Sequence, residues 1–68
     1  MNDIFIGRLI ESELRRQQRS VVWLSQQLEC NRTNVYKIFE RRSIDAELLL
    51  KISRALDHNF FEHYTTRL

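Results

Sequence analysis

The sequence predicts an all-α fold, a compact bundle of four to five helices, and three observations carry that expectation. The 68 residues include one glycine and no proline, so local composition favours helix nearly throughout. Apolar residues recur at the 3.6-residue spacing of amphipathic helices. Asp3, Ser20, Asn31 and Asp45 each stand just before such a run, where a side-chain oxygen can accept a first-turn N–H. A chain of this length with 43% hydrophobic residues is expected to form one domain, residues 1–68. Its core is small enough that a dimer partner would help.

A first helix, capped by Asp3, is expected to run roughly from Ile4 to Gln18, with Ile6, Leu9, Ile10 and Leu14 as its inward stripe. Gly7 lies inside it. An interior glycine costs about 1 kcal/mol relative to alanine, so it marks either close approach of another backbone or a harmless site near the helix start. Ser20 caps a second helix with Val21, Leu24 and Leu28 inward. Asn31 caps a third, reaching about Glu40, with Val35, Ile38 and Phe39 inward. Between them Glu29-Cys30-Asn31 leaves room only for a turn, with Cys30 pointing inward, which is helix-turn-helix spacing. A fourth helix opens at Asp45, where Ile44 and Leu49 occupy hydrophobic-staple positions, and runs to about Leu56. Leu49, Ile52 and Leu56 face inward, with Leu48 and Ala55 beside them. Asp57-His58-Asn59 is a polar break, and Phe60, Phe61, Tyr64 and Leu68 give an aromatic-rich fifth helix.

Charge is segregated along the chain. Residues 15–42 carry Arg15, Arg16, Arg19, Arg32, Lys37, Arg41 and Arg42 against Glu29 and Glu40, seven cations against two carboxylates. The remainder has four cations against seven carboxylates, and the whole chain is +2. Either a polyanion meets the positive side or the charges are a solvated surface.

The outward face of the third helix bears the candidate chemistry. If Val35, Ile38 and Phe39 face inward, the 100° step places Arg32, Thr33, Tyr36 and Lys37 outward with Asn34 at the edge. A helix end in a DNA major groove needs long donors for guanine O6 and N7, amides for adenine, and short groups for thymine methyls or backbone. Arg32, Thr33 and Asn34 supply these in the first turn, so Arg32, Thr33, Asn34, Tyr36 and Lys37 are the candidate base contacts. Tyr36 stays open between a DNA contact and plain surface packing. Arg19, Ser20, Val21, Asn31, Arg41 and Arg42 are the candidate phosphate contacts: the amides near Ser20 and Val21 open a helix, and the two arginines follow the third helix. Taken singly, Arg15, Arg16 and Arg42 read as surface residues. Trp23 reads as a partly buried packing residue, because duplex DNA keeps its bases stacked.

These residues resemble the lambda repressor and Cro-like family, also called the xenobiotic-response-element type of helix-turn-helix regulators. The match runs from Ile6-Gly7-Arg8 and Ile10 through Trp23-Leu24-Ser25 and Val35-Tyr36-Lys37-Ile38 to Leu49-Leu50-Lys51-Ile52 and Ala55-Leu56, covering residues 5–57. The resemblance implies a four- or five-helix bundle, a double-stranded DNA operator, short and palindromic, and a twofold dimer. It places Arg32, Thr33 and Lys37 at positions that often touch bases. The chain departs from the family where glycine is usual, at Gln18 and Glu29, each of which must adopt a left-handed conformation or shift its turn. Leu14 and Phe39 stand where the family often has a buried Arg–Glu pair, an exchange that is often neutral or stabilising. Val21 replaces a frequently polar residue near the DNA backbone.

The aromatic tail has two readings. Phe60, Phe61, Tyr64 and Leu68 fold back over the first and fourth helices, meet their mates across a twofold axis, or do both, since a short last helix can bury one face and share the other, making 60–68 a dimerisation segment. No catalytic constellation or cofactor motif is present. His58, His63 and Cys30 lack paired metal-ligand spacing, so structural roles are expected for them and no metal site. One cysteine excludes an internal disulfide, and no apolar run would span a bilayer or act as a signal peptide, so a cytoplasmic, non-membrane protein is expected. The leading functional expectation is a transcriptional regulator, a repressor. The alternative is a protein-interaction module on the same scaffold, such as an antitoxin.

Overall fold

The computed structural model describes residues 4–68, and the expected Asp3 cap lies outside them. Five helices follow in order, α1 (Ile6–Arg16), α2 (Val21–Gln27), α3 (Arg32–Phe39), α4 (Ala46–Leu56) and α5 (Glu62–Thr65), with no strand among the described residues. Ile6, Ile10 and Leu14 of α1, Leu24 of α2, Val35, Ile38 and Phe39 of α3, and Leu49, Ile52 and Leu56 of α4 converge on one core, which Phe60 completes. Leu9, expected in the α1 stripe, lies at its edge and is half-buried.

Three helix starts follow from local chemistry. Ser20 Oγ accepts from the Trp23 amide at 2.9 Å, Asn31 Oδ1 from the Asn34 amide at 3.0 Å, and Asp45 Oδ1 from the Leu48 amide at 2.7 Å. Each satisfies a first-turn N–H that has no intrahelical acceptor. The start of α1 is built differently. Phe5 occupies its cap position without a side-chain bond. Instead the Ile6 and Gly7 amides donate to the Arg42 and Arg41 carbonyls at 3.1 and 2.9 Å, just past α3. A Cβ on Gly7 would sit 2.4 Å from the carbonyl oxygens of both Ile38 and Phe39. Of the two readings of Gly7, close backbone approach is the one observed: the start of α1 abuts the end of α3, and only glycine fits between them.

Three helix ends share one geometry. Gln18, Glu29 and Asp57 have φ of 59°, 56° and 51°. After α1 the Gln18 amide donates to Arg15 O and the Arg19 amide to Leu14 O. After α2 the Glu29 amide donates to Gln26 O and the Cys30 amide to Ser25 O. After α4 the Asp57 amide donates to Arg54 O and the His58 amide to Ser53 O. These paired bonds are Schellman motifs, which usually place glycine at the left-handed residue. Gln18 and Glu29 therefore keep the turn and accept the strain, about 1–2 kcal/mol for a residue with a Cβ. Asp57 makes a third such site that the sequence reading did not single out.

The fifth helix is shorter than expected. The Phe60 amide donates to Ser53 Oγ at 3.3 Å and the Phe61 amide to Asn59 Oδ1 at 3.1 Å, so these residues form a turn tied to α4 and only Glu62–Thr65 is helical. Phe60 is fully buried and Leu68 fully exposed. Phe60 thus belongs to the subunit core and cannot also face a partner, which corrects its assignment to a dimer interface. Phe61 and Tyr64 pack partly against the core.

Candidate nucleic-acid interface

The α2–turn–α3 unit sets which side chains of α3 face outward. Val35, Ile38 and Phe39 pack inward, and Arg32, Thr33, Asn34, Tyr36 and Lys37 are all exposed, as the periodicity requires. Tyr36 is 53% exposed. Its ring meets Phe39 edge to face with centroids 6.2 Å apart, which fixes the base of the ring while the rest faces solvent. Asn34, Lys37 and Arg41 also line a shallow cleft of about 350 Å³ against Asp45 and Leu48 at the start of α4.

The flanking groups are placed less uniformly. Ser20 and Asn31 are exposed, but their side-chain oxygens serve as caps, so what they offer a ligand is the Asn31 amide nitrogen and the surrounding backbone. Val21 is half-buried and presents its amide rather than its side chain. The Arg19 guanidinium lies over the Trp23 ring, 4.4 Å from its centroid. Trp23 also packs against the core, and the stacking holds Arg19 beside the start of α2. Arg41 and Arg42 are exposed, with their carbonyls engaged by α1 and the Arg42 guanidinium 5.5 Å from the Phe5 ring centroid.

The charge segregation read from the sequence is reduced in three dimensions. Arg15 pairs with Glu11 at 3.0 Å and Arg16 pairs with Glu13, so both are matched by carboxylates of their own helix. What remains on the α2–α3 side is Arg19, Arg32, Lys37 and Arg41 against Glu29 and Glu40, four against two, with Arg42 engaged within the chain. The surface stays positive, with less excess than the linear count gave.

A second polar cluster, which the sequence reading missed, sits where α1 and α4 end. Glu13 is 8% exposed. Its carboxylate accepts from Arg16 Nε at 3.0 Å, from Arg16 Nη2, and from Gln17 Nε2 at 2.7 Å, while Gln17 also donates to the Leu56 carbonyl at 2.6 Å. The Arg16 guanidinium, aided by the Gln17 amide and working against burial, holds the Glu13 carboxyl at about 2. Glu13 pushes Arg16 upward in return. His58 Nδ1 lies 3.8 Å from Glu13 Oε1, and His58 Nε2 faces His63 Nε2 at 3.3 Å. The i, i+3 and i+4 spacing of Glu13, Arg16 and Gln17 was readable, but the two histidines reach this corner only through the Asp57 turn.

Among the described residues no group of three His, Cys, Asp or Glu side chains is arranged to hold a metal ion, and no helix is long and apolar enough to cross a membrane. Cys30 is a free, half-buried cysteine packed against the core. No protein-family model, curated protein or solved structure matches this chain, so the residues themselves must carry its functional reading.

Proposed function

We propose that the chain is a sequence-specific double-stranded DNA-binding transcriptional regulator, a repressor, in which α2 and α3 act as a helix-turn-helix and α3 enters the major groove. The observation that carries this reading is the outer face of α3. Arg32, Thr33, Asn34, Tyr36 and Lys37 are all exposed along it, and the first three lie at its amino end, the end that meets base edges in helix-turn-helix proteins. Arg19, Asn31, Arg41, Arg42 and the amides following Ser20 would hold phosphates on either side, fixing register without reading sequence. A homodimer through Phe61, Tyr64 and Leu68 would present two copies of α3 to half-sites about 34 Å apart on a short palindrome. Occupying a promoter would suffice for repression in the cytoplasm, with no cofactor.

Selection from a random duplex library at near-physiological salt tests this with wild type and an Arg32→Ala/Thr33→Ala variant in parallel. A symmetric motif that the variant loses is the expected outcome. Arg32→Ala alone should lose about 1–3 kcal/mol concentrated at one base position, whereas removing Arg41 or Arg42 should weaken all sequences alike and flatten the salt dependence. Salt-sensitive binding without enrichment would overturn the sequence-specific reading. The second reading, a protein-interaction module such as an antitoxin, is favoured by one observation. Tyr36 is a half-exposed aromatic at the middle of α3, the type of residue that anchors protein interfaces.

A further inference from the structure

We infer that His58 and His63 form a chelate for one zinc-like divalent ion, with Glu13 as the group that orients it. Their Nε2 atoms stand 3.3 Å apart. A zinc ion bound by imidazole nitrogens at its usual bond length, with tetrahedral angles, requires two such atoms about 3.3–3.4 Å apart. The pair therefore needs little movement to accept an ion. The second observation concerns the other side of the His58 ring, where Nδ1 lies 3.8 Å from the Glu13 carboxylate. Metal-bound histidines generally give their second N–H to a carboxylate, which fixes the tautomer and strengthens the donor nitrogen.

Glu13 is held in place by Arg16 and Gln17 with its carboxylate toward His58 Nδ1, so it favours the proton there and leaves Nε2 as the electron-pair donor. In the absence of an ion the two Nε2 atoms share one hydrogen bond, and an ion takes its place once each ring carries its proton on Nδ1. Both histidines are partly exposed, so an ion can reach them from solvent, and water fills the remaining positions. Two imidazoles select zinc, nickel or copper over magnesium and calcium, which prefer oxygen. The bound ion would join α5, through His63, to the end of α4 and to α1. This site lies apart from α3 and does not depend on what α3 binds.

The test titrates zinc chloride, with magnesium chloride as control, into the untagged full chain, read by calorimetry and by imidazole nitrogen shifts in NMR. The expected result is one ion per chain and a large shift of both Nε2 resonances, with no magnesium response. His58→Ala and His63→Ala should each weaken zinc about 30-fold, and Glu13→Gln about 10-fold. One ion per two chains would also support the chelate, with a second copy supplying the missing donors. Zinc binding that His63→Ala leaves unchanged, or that Cys30→Ser abolishes, would overturn it. The wild-type shifts decide the matter even if a variant fails to fold, since unshifted Nε2 resonances at saturating zinc exclude coordination there.

Discussion

The corner where α1 meets α4 and the outer face of α3 treat polar side chains in opposite ways. At the corner a nearly buried carboxylate is matched by Arg16 and Gln17, with His58 beside it, and Gln17 reaches on to the last carbonyl of α4. On α3 the side chains of Arg32, Thr33 and Lys37 make no hydrogen bond or ion pair with any described residue. Buried polar groups must be satisfied within the fold because leaving one unpaired costs about 1–3 kcal/mol, whereas water satisfies an exposed one. The corner is therefore constrained by folding. The outer face of α3 is nearly independent of it, and its composition is open to selection by a ligand.

Substitutions should separate the two regions by size of effect. The largest is expected in the core between them: Phe60→Ala should cost about 3–5 kcal/mol in urea unfolding. That loss should not vary with protein concentration, since Phe60 packs within one subunit. A concentration-dependent loss would return the residue to an interface. Next comes Gly7→Ala, which forces a methyl group against two carbonyls and should cost about 2–3 kcal/mol, the range of overpacked cores.

Acidification probes the corner itself. Glu13 titrates at about 2 in the fold against 4.5 as a free side chain, so its contribution is complete above about pH 4.5 and is lost as pH falls toward 2. With Arg16 largely in solvent, the loss is on the order of 1–2 kcal/mol. Glu13→Gln should show less acid sensitivity than wild type in urea midpoints measured at about pH 6 and about pH 2. In the opposite direction, Gln18→Gly should gain about 1 kcal/mol of stability by removing left-handed strain. The smallest effect belongs to the outer face: Arg32→Ala and Thr33→Ala should each change thermal stability by less than about 0.5 kcal/mol. A larger change would break the comparison, because it would show that α3's outer side chains also serve the fold.

What could be read from the sequence follows the range of the interactions. Ser20, Asn31 and Asp45 mark their helix starts because a cap bond spans three residues and depends on nothing distant. The outward set on α3 follows from periodicity for the same reason. The start of α1 was misplaced because its amides are satisfied by carbonyls beyond α3, so no side-chain signal exists to find. Gly7 announced an anomaly without naming its partner. The length of α5 was overestimated because aromatic spacing is blind to Ser53 and Asn59, which hold Phe60 and Phe61 in a turn. His58 joined Glu13 only after the Asp57 turn had formed. Gln18 and Glu29 stood out through the resemblance, while Asp57, a residue type that tolerates left-handed backbone better, raised no alarm.

The two hydrogen bonds from Ile6 and Gly7 to the carbonyls past α3 turn the start of the chain into a gauge of that helix. Their protons can exchange with solvent only when α1 lifts away from the end of α3. Any ligand that steadies α3 must slow that lifting, even if it never touches α1. In a deuterium-exchange experiment, the first turn of α1 should therefore gain protection in step with occupancy of α3, reporting binding from a site the ligand does not cover.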